Sequence, residues 1–443
     1  MNNKKYYSSW NHFPIQYGKI DEFHNIDKLS DYIVKNTSDC IPVGNFRSYG
    51  DCVLNNKMVK YFGSKKVILN KSKKIAIVSS NILIGDLIKE TMPHGFFPPV
   101  VPGTKYVSIG GAIAADIHGK NHHLKGSFCE HLIWVEIMVS DGSIIRCSKT
   151  INRDLFQMTC GGMGLTGIII KAAIKMQRIN SNSIKQIKYV AKNLSDLFQL
   201  FMDNKNKEYS VAWIDCTATG NSLGRGIILL GEFSKKKDIK AKRLATNSQI
   251  FGIPFYFPKF FMNRFTIRFF NAMYFFFSAI KDKQESVIDY DNYFFPLDKI
   301  SNWNRLYGIS GFLQYQFVLP LETSLKGLKI ILTLIANSGQ ASPITVLKLL
   351  GPENKNFLSF PMEGYTLAVD FKNHPSVFPL LEKLDMIVNQ NGGRIYLAKD
   401  ARISIENFQK NYKNVKYFRE YRKLEKMYNK FTFNSKQSYR LGL

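Results

Sequence analysis

The hydrophobic pattern near the start of the chain predicts two strands followed by a helix. Residues 60–78 hold the two strand-like runs, within the segments YFGSKKVILN and KKIAIVSS. Apolar side chains then recur at helical spacing within residues 81–92, at Ile84, Leu87, Ile88 and Met92. Because strands repeat every two residues and helices every 3.6, this order predicts a β-β-α unit.

A second strand-rich stretch begins near residue 130. The segment EHLIWVEIMVSDGSIIRCS predicts two strands joined at Asp141-Gly142, since Asp and Gly tolerate the positive φ of a tight hairpin turn. A short helix is predicted over residues 154–158. The run IIIKAAIKM over residues 168–176 alternates apolar side chains with Lys171 and Lys175, which predicts a strand with one buried and one solvated face.

From about residue 180 the pattern becomes mixed α and β with long basic loops, including KKKDIKAKR at residues 235–243. The densest aromatic run covers residues 251–280 and is interrupted by Lys259, Arg264 and Arg268. A membrane-spanning helix needs about 20 consecutive apolar residues, so a span is not expected. Two interpretations stay open, namely a segment at the lipid headgroup boundary, where rings and cations both fit, and a pair of core helices under a lid.

Composition places the chain among globular proteins of two or three domains. It has 443 residues, 45% hydrophobic and 21% charged, and a net charge of +27 that favours an anionic partner. Nucleic acid, an anionic membrane and a phosphorylated substrate all meet that condition, and plain compositional bias is the alternative. Six widely spaced cysteines predict buried, reduced thiols. The N-terminal residues show neither a secretory signal nor an anchor, so we expect a cytoplasmic protein.

Glycine-rich turns carry the candidate chemistry. Residues 162–167, GMGLTG, match G-x-G-x-x-G, but a predicted helix precedes them and a strand follows, which is the reverse of the dinucleotide-binding order. Further turns occur at RSYGD, VPGT and GGAI leading to DIHGKNHH. Each alone would be an ordinary turn, but together they indicate one extended phosphate-bearing cofactor, because exposed backbone N–H groups bind anions.

The motifs RSYGD, VPGT, SIGGAIAADIHGKNHH, CGGMGLTGII and YLAKDAR, in this order, resemble the FAD-binding domain of the vanillyl-alcohol-oxidase family. More narrowly, the chain resembles the flavin subunits of epimerases that act on polyprenyl-phosphate-linked pentoses, from Trp10 to the tail and including YSVAWID, GFLQYQF and VLKLLGPENKNFLSFP. The resemblance implies an α+β fold, with a two-subdomain PCMH-type FAD-binding domain and an inserted α+β substrate domain. The implied limits are residues 1–190 for the FAD domain, 191–390 for the substrate domain and 391–443 for a segment returning to the FAD domain.

The resemblance also implies site residues. Those expected to bind FAD are Arg47, Ser48, Tyr49, Gly50, Asp51, Gly103, Thr104, Gly110, Gly111, His118, Gly119, Gly164, Gly167, Tyr396 and Ala398. Those expected around the substrate are Tyr49, Trp213, Tyr307, Gln314, Gln316, Lys348 and Lys399. The catalytic candidates are Lys399, His118 and Lys120.

Several of these assignments have a plainer alternative. A lysine acts as a base only where burial or nearby cations depress its pKa, and a single histidine in a glycine-rich loop is more often structural. Many members of the family that the chain resembles attach FAD covalently through a histidine near the first glycine-rich turn. Because no histidine lies between His24 and His94, the resemblance implies that FAD is held noncovalently. No metal is expected, since His122 and His123 lack a partnering carboxylate or cysteine cluster.

The implied reaction is FAD-dependent oxidation of the 2-hydroxyl of a polyprenyl-phosphate-linked pentose to a keto sugar, the first half of an epimerisation in cell-envelope glycan synthesis. A separate NAD(P)H-dependent reductase would complete it, and residues 251–280 would hold the enzyme peripherally at the inner face of the cell membrane. A same-fold alternative is oxidation of a free sugar alcohol or aldonolactone. A nucleic-acid-binding or membrane-binding protein with an inactive flavin site is an alternative of another class, although no nucleic-acid partner is expected.

Three positions depart from the family pattern. Thr366 and Ala368 stand where mycobacterial-type enzymes carry Asn and Cys, and Val211 stands where Ser is common. These departures leave the exact sugar and the lipid length open.

Overall fold

The computed structural model describes residues 4–36, 38–235, 251–258, 261–340, 342–428 and 432–443. The basic run predicted as a loop at residues 235–243 therefore lies outside the described residues except for Lys235, and so does Lys259. The strands are β1 Lys5–Ser8, β2 Ile15–Phe23, β3 Ile41–Pro42, β4 Lys57–Tyr61, β5 Ile68–Asn70, β6 Ile75–Ser79, β7 Phe96–Phe97, β8 Leu132–Met138, β9 Ile144–Cys147, β10 Ile168–Lys175, β11 Gln177–Arg178, β12 Ser183–Ala191, β13 Tyr209–Ile214, β14 Gly226–Phe233, β15 Phe251–Gly252, β16 Lys283–Asp289, β17 Ile300–Ser301, β18 Phe312–Pro320, β19 Thr345–Leu350, β20 Gly364–Lys372 and β21 Arg394–Ile395. The helices are α1 Ile26–Lys35, α2 Ile84–Thr91, α3 Ile109–Ala114, α4 His122–Lys125, α5 Arg153–Thr159, α6 Leu194–Asp203, α7 Arg264–Ala279, α8 Tyr290–Phe294, α9 Leu321–Ser338, α10 Val377–Gln390, α11 Ile405–Asn411, α12 Val415–Tyr428 and α13 Lys436–Leu441.

Three larger sheets organise the described part of the chain. A four-stranded sheet has the order β1-β2-β4-β3, and a five-stranded sheet has the order β5-β6-β10-β8-β9. The largest sheet, with eight strands, has the order β16-β12-β14-β13-β19-β20-β18-β21. Helices pack against these sheets, so the fold is α+β as predicted. The domain limits at residues 190 and 390 stay a prediction, and the eight-stranded sheet extends slightly past both, from Ser183 to Ile395.

Local periodicity located the elements of the first half well. Strands β5 and β6 pair antiparallel, and α2 follows them with Ile84, Leu87 and Ile88 buried. The predicted hairpin is the antiparallel pair of β8 and β9, and its Gly142 adopts φ 79°, as a tight turn requires. Helix α5 precedes the glycines of residues 162–167 and β10 follows them, which confirms that this is not a dinucleotide-binding turn.

The prediction that β10 has a solvated face is wrong. Ile169 and Ala173, which fall on that face, are both buried, and of this strand Lys175 alone is exposed. Strand β10 lies between β6 and β8 at the centre of its sheet, and one cluster joins Ile168 and Ile170 to α1 while another joins Ile169 to α2 and α3. Coverage from both sides therefore overrides the local alternation, as is usual for a central strand.

The eight-stranded sheet buries one face against α9 and α10. Leu313, Tyr315 and Phe317 of β18 lie in the same core as Leu328 of α9 and Leu384 of α10. Each such aliphatic or aromatic side chain contributes about 1.5–3 kcal/mol on burial. Because side chains alternate along a strand, the intervening residues of β18, β19 and β20 point to the opposite face, where the site lies.

The aromatic run of residues 251–280 folds mainly into the single helix α7. Asn263 caps its N-terminus, and its buried face is formed by Ile267 and Asn271. Asn271 Nδ2 donates to Asp215 Oδ1 at 3.1 Å and to the Ser342 carbonyl at 3.2 Å, which anchors the helix on the sheet. Exposed phenylalanines cover its outer side: Phe265, Phe269, Phe270, Phe276 and Phe277. The interpretation as a pair of core helices is therefore wrong.

None of the helices among the described residues is long and apolar enough to cross a membrane. All six cysteines are buried and unpaired, which confirms the prediction of reduced thiols.

Candidate active site

A cavity of about 800 Å³ collects side chains from both ends of the chain and from the open face of the eight-stranded sheet. Ligand pockets typically occupy about 300–1,000 Å³. The predicted site residues that line it are Arg47, Ser48, Tyr49, Gly103, Thr104, Gly110, Gly111, His118, Gly164, Gly167, Gln314, Gln316, Lys348, Tyr396, Ala398 and Lys399. The structure therefore brings most of the predicted set into one place.

Gly50 and Asp51 lie just outside the lining and join the first glycine turn to the late loop. Gly50 has φ +147°, and a Cβ built there would lie 1.9 Å from the Asp400 carbonyl oxygen. The neighbouring Tyr49 N–H donates to the Ala398 carbonyl at 3.0 Å. Only glycine permits both this backbone conformation and this close approach.

An ion pair strengthens the same junction. Arg440 of α13 donates through Nη2 to Asp51 Oδ1 and to Asp400 Oδ2, each at 2.8 Å. Both carboxylates are buried, so the guanidinium balances two charges that water does not reach. The C-terminal helix thus holds the two cavity-forming segments together.

Lys120 and Gly119 are not part of the lining. The Lys120 ammonium donates to the Tyr293 carbonyl and lies 4.3 Å from the centre of the Tyr293 ring. Burial, and then the charge of Lys348, lower the pKa of Lys120 to about 7. This contact directs the Lys120 side chain into the protein, so the structure does not bring this catalytic candidate to the cavity.

Trp213 and Tyr307 are not among the residues that line the cavity. Trp213 pairs across the sheet with Val346, a cavity residue, while its indole N–H donates to the Pro343 carbonyl at 3.0 Å. The Trp213 ring packs against Tyr274 of α7, with ring centres 4.7 Å apart. Tyr307 is buried, with its ring stacked on Phe312. Trp213 therefore links the aromatic helix to the cavity wall.

His118 and Gln316 contact each other on this wall. His118 is buried, and its Nε2 lies 3.0 Å from Gln316 Nε2, which also donates to Thr366 Oγ1 at 3.2 Å. Burial first, then the charges of Lys348, His122 and Lys399, lower the pKa of His118 well below its usual value. A neutral ring that accepts at Nε2 carries its proton on Nδ1. His118 Nδ1 has no partner among the described residues, so it is a donor available to a ligand.

Lys399 lines the cavity and is partly buried. Its Nζ is 3.4 Å from the centre of the Tyr49 ring. Burial lowers the pKa of Lys399 to about 7, opposed by the charge of Asp370 and assisted by that of Lys348. A lysine amine that exchanges its proton near neutral pH fits the requirement for a general base.

Asp370, which sequence reasoning missed, does not line the cavity but contacts the lining residue Gln314. It is fully buried, and its Oδ1 accepts a hydrogen bond from Gln314 Nε2 at 2.5 Å. Burial raises the pKa of Asp370 to about 7, against the opposing effects of Gln314 and Lys399. The period of two along β20 could have found it, because Thr366 and Ala368 were singled out and Asp370 continues their face.

The sheet register places these polar groups in one layer. Gln316 and Val346 both pair with Ala368, Gln314 pairs with Asp370, and Lys348 pairs with Thr366. Burial lowers the pKa of Lys348 to about 8. Two amides on β18 and a cation on β19, the strands on either side of β20, thus face the cavity, which suits a ligand with hydroxyl groups and a phosphate.

The lining fits a long cofactor that carries phosphates. The Arg47 guanidinium lies 4.0 Å from the Trp10 ring centre and 5.0 Å from that of Tyr106, and its buried Nε has no partner among the described residues. Further cations and polar groups that were not predicted line the cavity: Lys60, Lys65, Asn81, Lys89 and Asp298. Unsatisfied buried donors such as Arg47 Nε and His118 Nδ1 are what a bound anion or carbonyl would pair with.

The two histidines considered as metal ligands have structural contacts. His122 Nδ1 accepts from the Gly351 N–H at 3.0 Å, and His123 Nε2 lies 2.9 Å from the Lys207 carbonyl. No group of three His, Cys, Asp or Glu side chains suited to a metal occurs among the residues that the structure describes.

Comparisons with known proteins agree with this geometry. Residues 26–148 match the family model described as "FAD binding domain". The chain is 34% identical to a decaprenylphosphoryl-β-D-ribose oxidase from Mycolicibacterium smegmatis over 380 residues, which is 83% of this chain and 82% of the relative. It is also 26% identical to cytokinin dehydrogenase 2 of Arabidopsis thaliana over 33% of this chain and 28% of that protein. L-Gulonolactone oxidase of Mus musculus is 26% identical over 30% of each chain.

Proposed function

The chain belongs to the decaprenylphosphoryl-β-D-ribose oxidase family of FAD-dependent oxidoreductases, and from this we propose that it oxidises the 2-hydroxyl of a polyprenyl-phosphate-linked pentose to a keto sugar. The observation that supports this most is the cavity that joins the predicted FAD turns to Lys399, Gln314, Gln316 and Lys348. The product would serve as substrate for a separate NAD(P)H-dependent reductase, which completes an epimerisation for cell-envelope glycan synthesis.

The residues expected to hold FAD are those of the glycine turns, with Arg47 and His118 as donors that protein groups leave unpaired. When bound, FAD accepts the hydride that leaves the sugar carbon. We propose noncovalent attachment, since His118, a cavity histidine, already uses its Nε2 on Gln316. The FAD domain would then comprise residues 1–190 and 391–443, in two subdomains, around a substrate domain of residues 191–390.

Lys399 is the proposed proton acceptor. Its pKa of about 7 leaves a substantial unprotonated fraction at neutral pH, so Nζ can take the hydroxyl proton as the C–H bond breaks. The resulting ammonium is stabilised by the Tyr49 ring beneath it and by the charge of Asp370. His118 is better suited to donate a hydrogen bond than to accept a proton, because its acceptor nitrogen is engaged.

Gln314 and Gln316 are the proposed sugar-binding residues. Their amide nitrogens are engaged by Asp370 and by His118 with Thr366, respectively. The carbonyl oxygens are therefore left to accept hydrogen bonds from sugar hydroxyls. Lys348, on β19 across β20 from the two glutamines, supplies a positive charge for the phosphate. Ala368 places only a methyl group between these side chains.

Helix α7 supports the proposal that the substrate carries a lipid. This helix exposes five phenylalanines, and Tyr274 on it contacts Trp213, whose strand neighbour Val346 lines the cavity. An aromatic surface next to the cavity lets a lipid-anchored sugar reach Lys399 while its chain stays in the bilayer. We therefore propose peripheral attachment at the inner face of the cell membrane, and no nucleic-acid partner.

Anaerobic absorbance titration tests the proposed substrate. Polyprenyl-phosphoryl ribose should bleach the visible flavin band, whereas free ribose, soluble polyols and aldonolactones should not. Bleaching by soluble polyols, unchanged after removal of residues 255–277, would instead favour oxidation of a free sugar alcohol. Denaturation in acid should release the flavin into the supernatant, and retention of colour by the precipitate would contradict noncovalent binding.

A further inference from the structure

A second, smaller pocket of about 220 Å³ lies beside α7, outside the lining of the main cavity. It is formed where the start of α7 meets the end of α9 and the loop after β13. The lining consists of Thr217, Thr219, Arg264, Arg268, Ile335, Ala336, Asn337 and Gly339. Two guanidinium groups, two hydroxyls and an amide in so small a space form a donor-rich pocket.

The two arginines line the pocket and carry no acidic partner among the described residues. Arg264 and Arg268 are one helical turn apart, so their side chains lie on the same side of α7. The Arg264 side chain passes over Gly339, where an added Cβ would lie 3.4 Å from its Cδ. Within 4.0 Å, neither guanidinium has a carboxylate among the described residues. Their charge is therefore free to act on a ligand.

The carboxylate next to the pocket is already neutralised. Thr217 donates to Asp215 Oδ1 at 2.6 Å, and Arg225 binds Asp215 Oδ2 through Nη2 at 2.8 Å. Residues 251–281 contain four cations and no acidic residue. The carbonyl end of α9 carries only a partial negative charge, about half an electron, against two full positive charges. The pocket is thus strongly complementary to an anion.

The pocket also lies directly beside the exposed aromatic surface. Phe265 and Phe269 follow Arg264 and Arg268 by one position each, so a phenylalanine stripe runs next to the arginine stripe on α7. Phe265 is 82% exposed and Phe269 is 69% exposed. A helix with apolar rings beside cations lies in the plane of a membrane, with the rings among acyl chains and the cations at phosphate depth.

We propose that this pocket binds the phosphate of an anionic membrane lipid, with Arg264 and Arg268 as bidentate donors and the Thr219 hydroxyl as a further donor. The site rests on the proposed attachment of α7 to a membrane and adds to it a specific headgroup contact, separate from substrate binding. It holds the enzyme at a fixed depth and orientation, with the phenylalanines inserted and the main cavity close to the lipid surface.

The test compares sedimentation of the flavin-loaded protein with vesicles of phosphatidylcholine alone and of phosphatidylcholine with phosphatidylglycerol. The double substitution Arg264→Gln/Arg268→Gln should weaken binding to the anionic vesicles about 30-fold, since each cation near such a surface contributes about 1 kcal/mol. The control Lys326→Gln/Lys329→Gln removes the same charge from exposed positions of α9 outside the pocket and should change binding by less than about threefold.

A charge-preserving variant distinguishes a specific phosphate-binding site from nonspecific electrostatic attraction to the vesicle. Arg264→Lys/Arg268→Lys keeps both charges but loses bidentate geometry, so binding to anionic vesicles should still fall several-fold. Phe265→Ser/Phe269→Ser should weaken binding to both kinds of vesicle. If the lysine variant binds as tightly as the wild type, or the control pair loses as much as the arginine pair, the pocket is not the lipid site.

Two further outcomes would overturn the proposal. Inorganic phosphate bound at micromolar concentration, with an arginine-dependent signal but unchanged vesicle binding, would show a site for free phosphate. A lower thermal midpoint with unchanged vesicle binding would show that the arginines only cap α9. Flavin bleaching by polyprenyl-phosphoryl ribose in detergent reports the proposed function independently, so loss of bleaching and loss of vesicle binding are distinguishable.

Discussion

At the scale of single residues, the cavity combines groups whose proton affinities have been moved toward each other. Lys399 and Asp370 both have a pKa of about 7, although a free lysine and a free aspartate differ by more than six units. Burial causes both shifts, since a low-dielectric site disfavours either charged form. Their opposite charges limit the shifts, which leaves Lys399 able to exchange a proton near neutral pH.

Replacing Lys399 by Met should lower the rate of substrate-dependent flavin bleaching by about 10²–10⁴-fold, the range typical of a lost general base. The flavin itself should remain bound, because the glycine turns are unchanged. Stopped-flow absorbance measures the rate, and Lys410→Met, at an exposed position of α11, serves as the control. A Lys399→Met enzyme of full activity would exclude the proposed role.

Replacing Asp370 by Asn should shift the pH dependence of bleaching. The Asp370 charge raises the pKa of Lys399, so its removal lowers that pKa further. The base is active when unprotonated, so the limb of the rate profile that rises with pH near 7 should move to lower pH. Asp370→Glu, which keeps the charge, should stay near the wild-type profile. An unmoved limb in Asp370→Asn would show that Asp370 has only a structural role.

At the scale of elements, the site depends on how segments from the two ends of the chain are joined. The turn at Tyr49 and Gly50 contacts the loop at Ala398 and Asp400 through the backbone, and α13 closes the junction with Arg440. This junction buries two carboxylates around one guanidinium. Such a group stabilises the fold only while the pairing is complete.

Replacing Arg440 by Met should therefore destabilise the protein by about 3–5 kcal/mol, because Asp51 and Asp400 would be left buried without their partner. Lys436 lies on the same helix but is exposed, so Lys436→Met should change stability by no more than about 0.5 kcal/mol. Urea denaturation of the two variants measures the difference. Equal stability would mean that water or rearrangement compensates the carboxylates.

Local sequence patterns predicted the helices and strands but not which other segments pack against them. The spacing of Ile84, Leu87 and Ile88 gave α2, and Asp141-Gly142 gave the hairpin, because both depend on neighbours in sequence. The burial of Ile169 could not be seen, since α1 and the core around α3 cover β10 only after folding. The Asp51–Arg440 pair spans 389 residues, and no local pattern carries such a contact.

The residues of the candidate site were easier to predict from the sequence than the fold around them. The resemblance of the motifs, in their order, to a flavin-binding family predicted that Lys399 and the glycine turns meet, and in the structure they line one cavity. Lys120 was misplaced because its motif lies near the cavity while its side chain turns toward Tyr293. Asp370 was missed although it follows Thr366 and Ala368 on the same strand face, a signal that a period of two contains.

At the scale of the whole molecule, the net charge and the exposed aromatic side chains of α7 both support the proposed membrane-bound anionic substrate. The chain carries a net charge of +27, and the exposed phenylalanines of α7 lie on the side of the sheet that Trp213 shares with the cavity. Long-range attraction brings a basic protein to an anionic surface, and aromatic insertion holds it there. Under the proposed function, a lipid-linked sugar would reach the cavity while its lipid chain stays in the bilayer.

All of these inferences require that the separated turns bind one flavin with Lys399 beside it. The most direct measurement is the visible absorption spectrum of the purified full-length protein, with the FAD content determined after denaturation. We expect a flavin spectrum with stoichiometric FAD that Gly50→Ala strongly reduces, because the added Cβ would push the first turn away from Asp400. A colourless protein that takes up no added FAD would contradict the account.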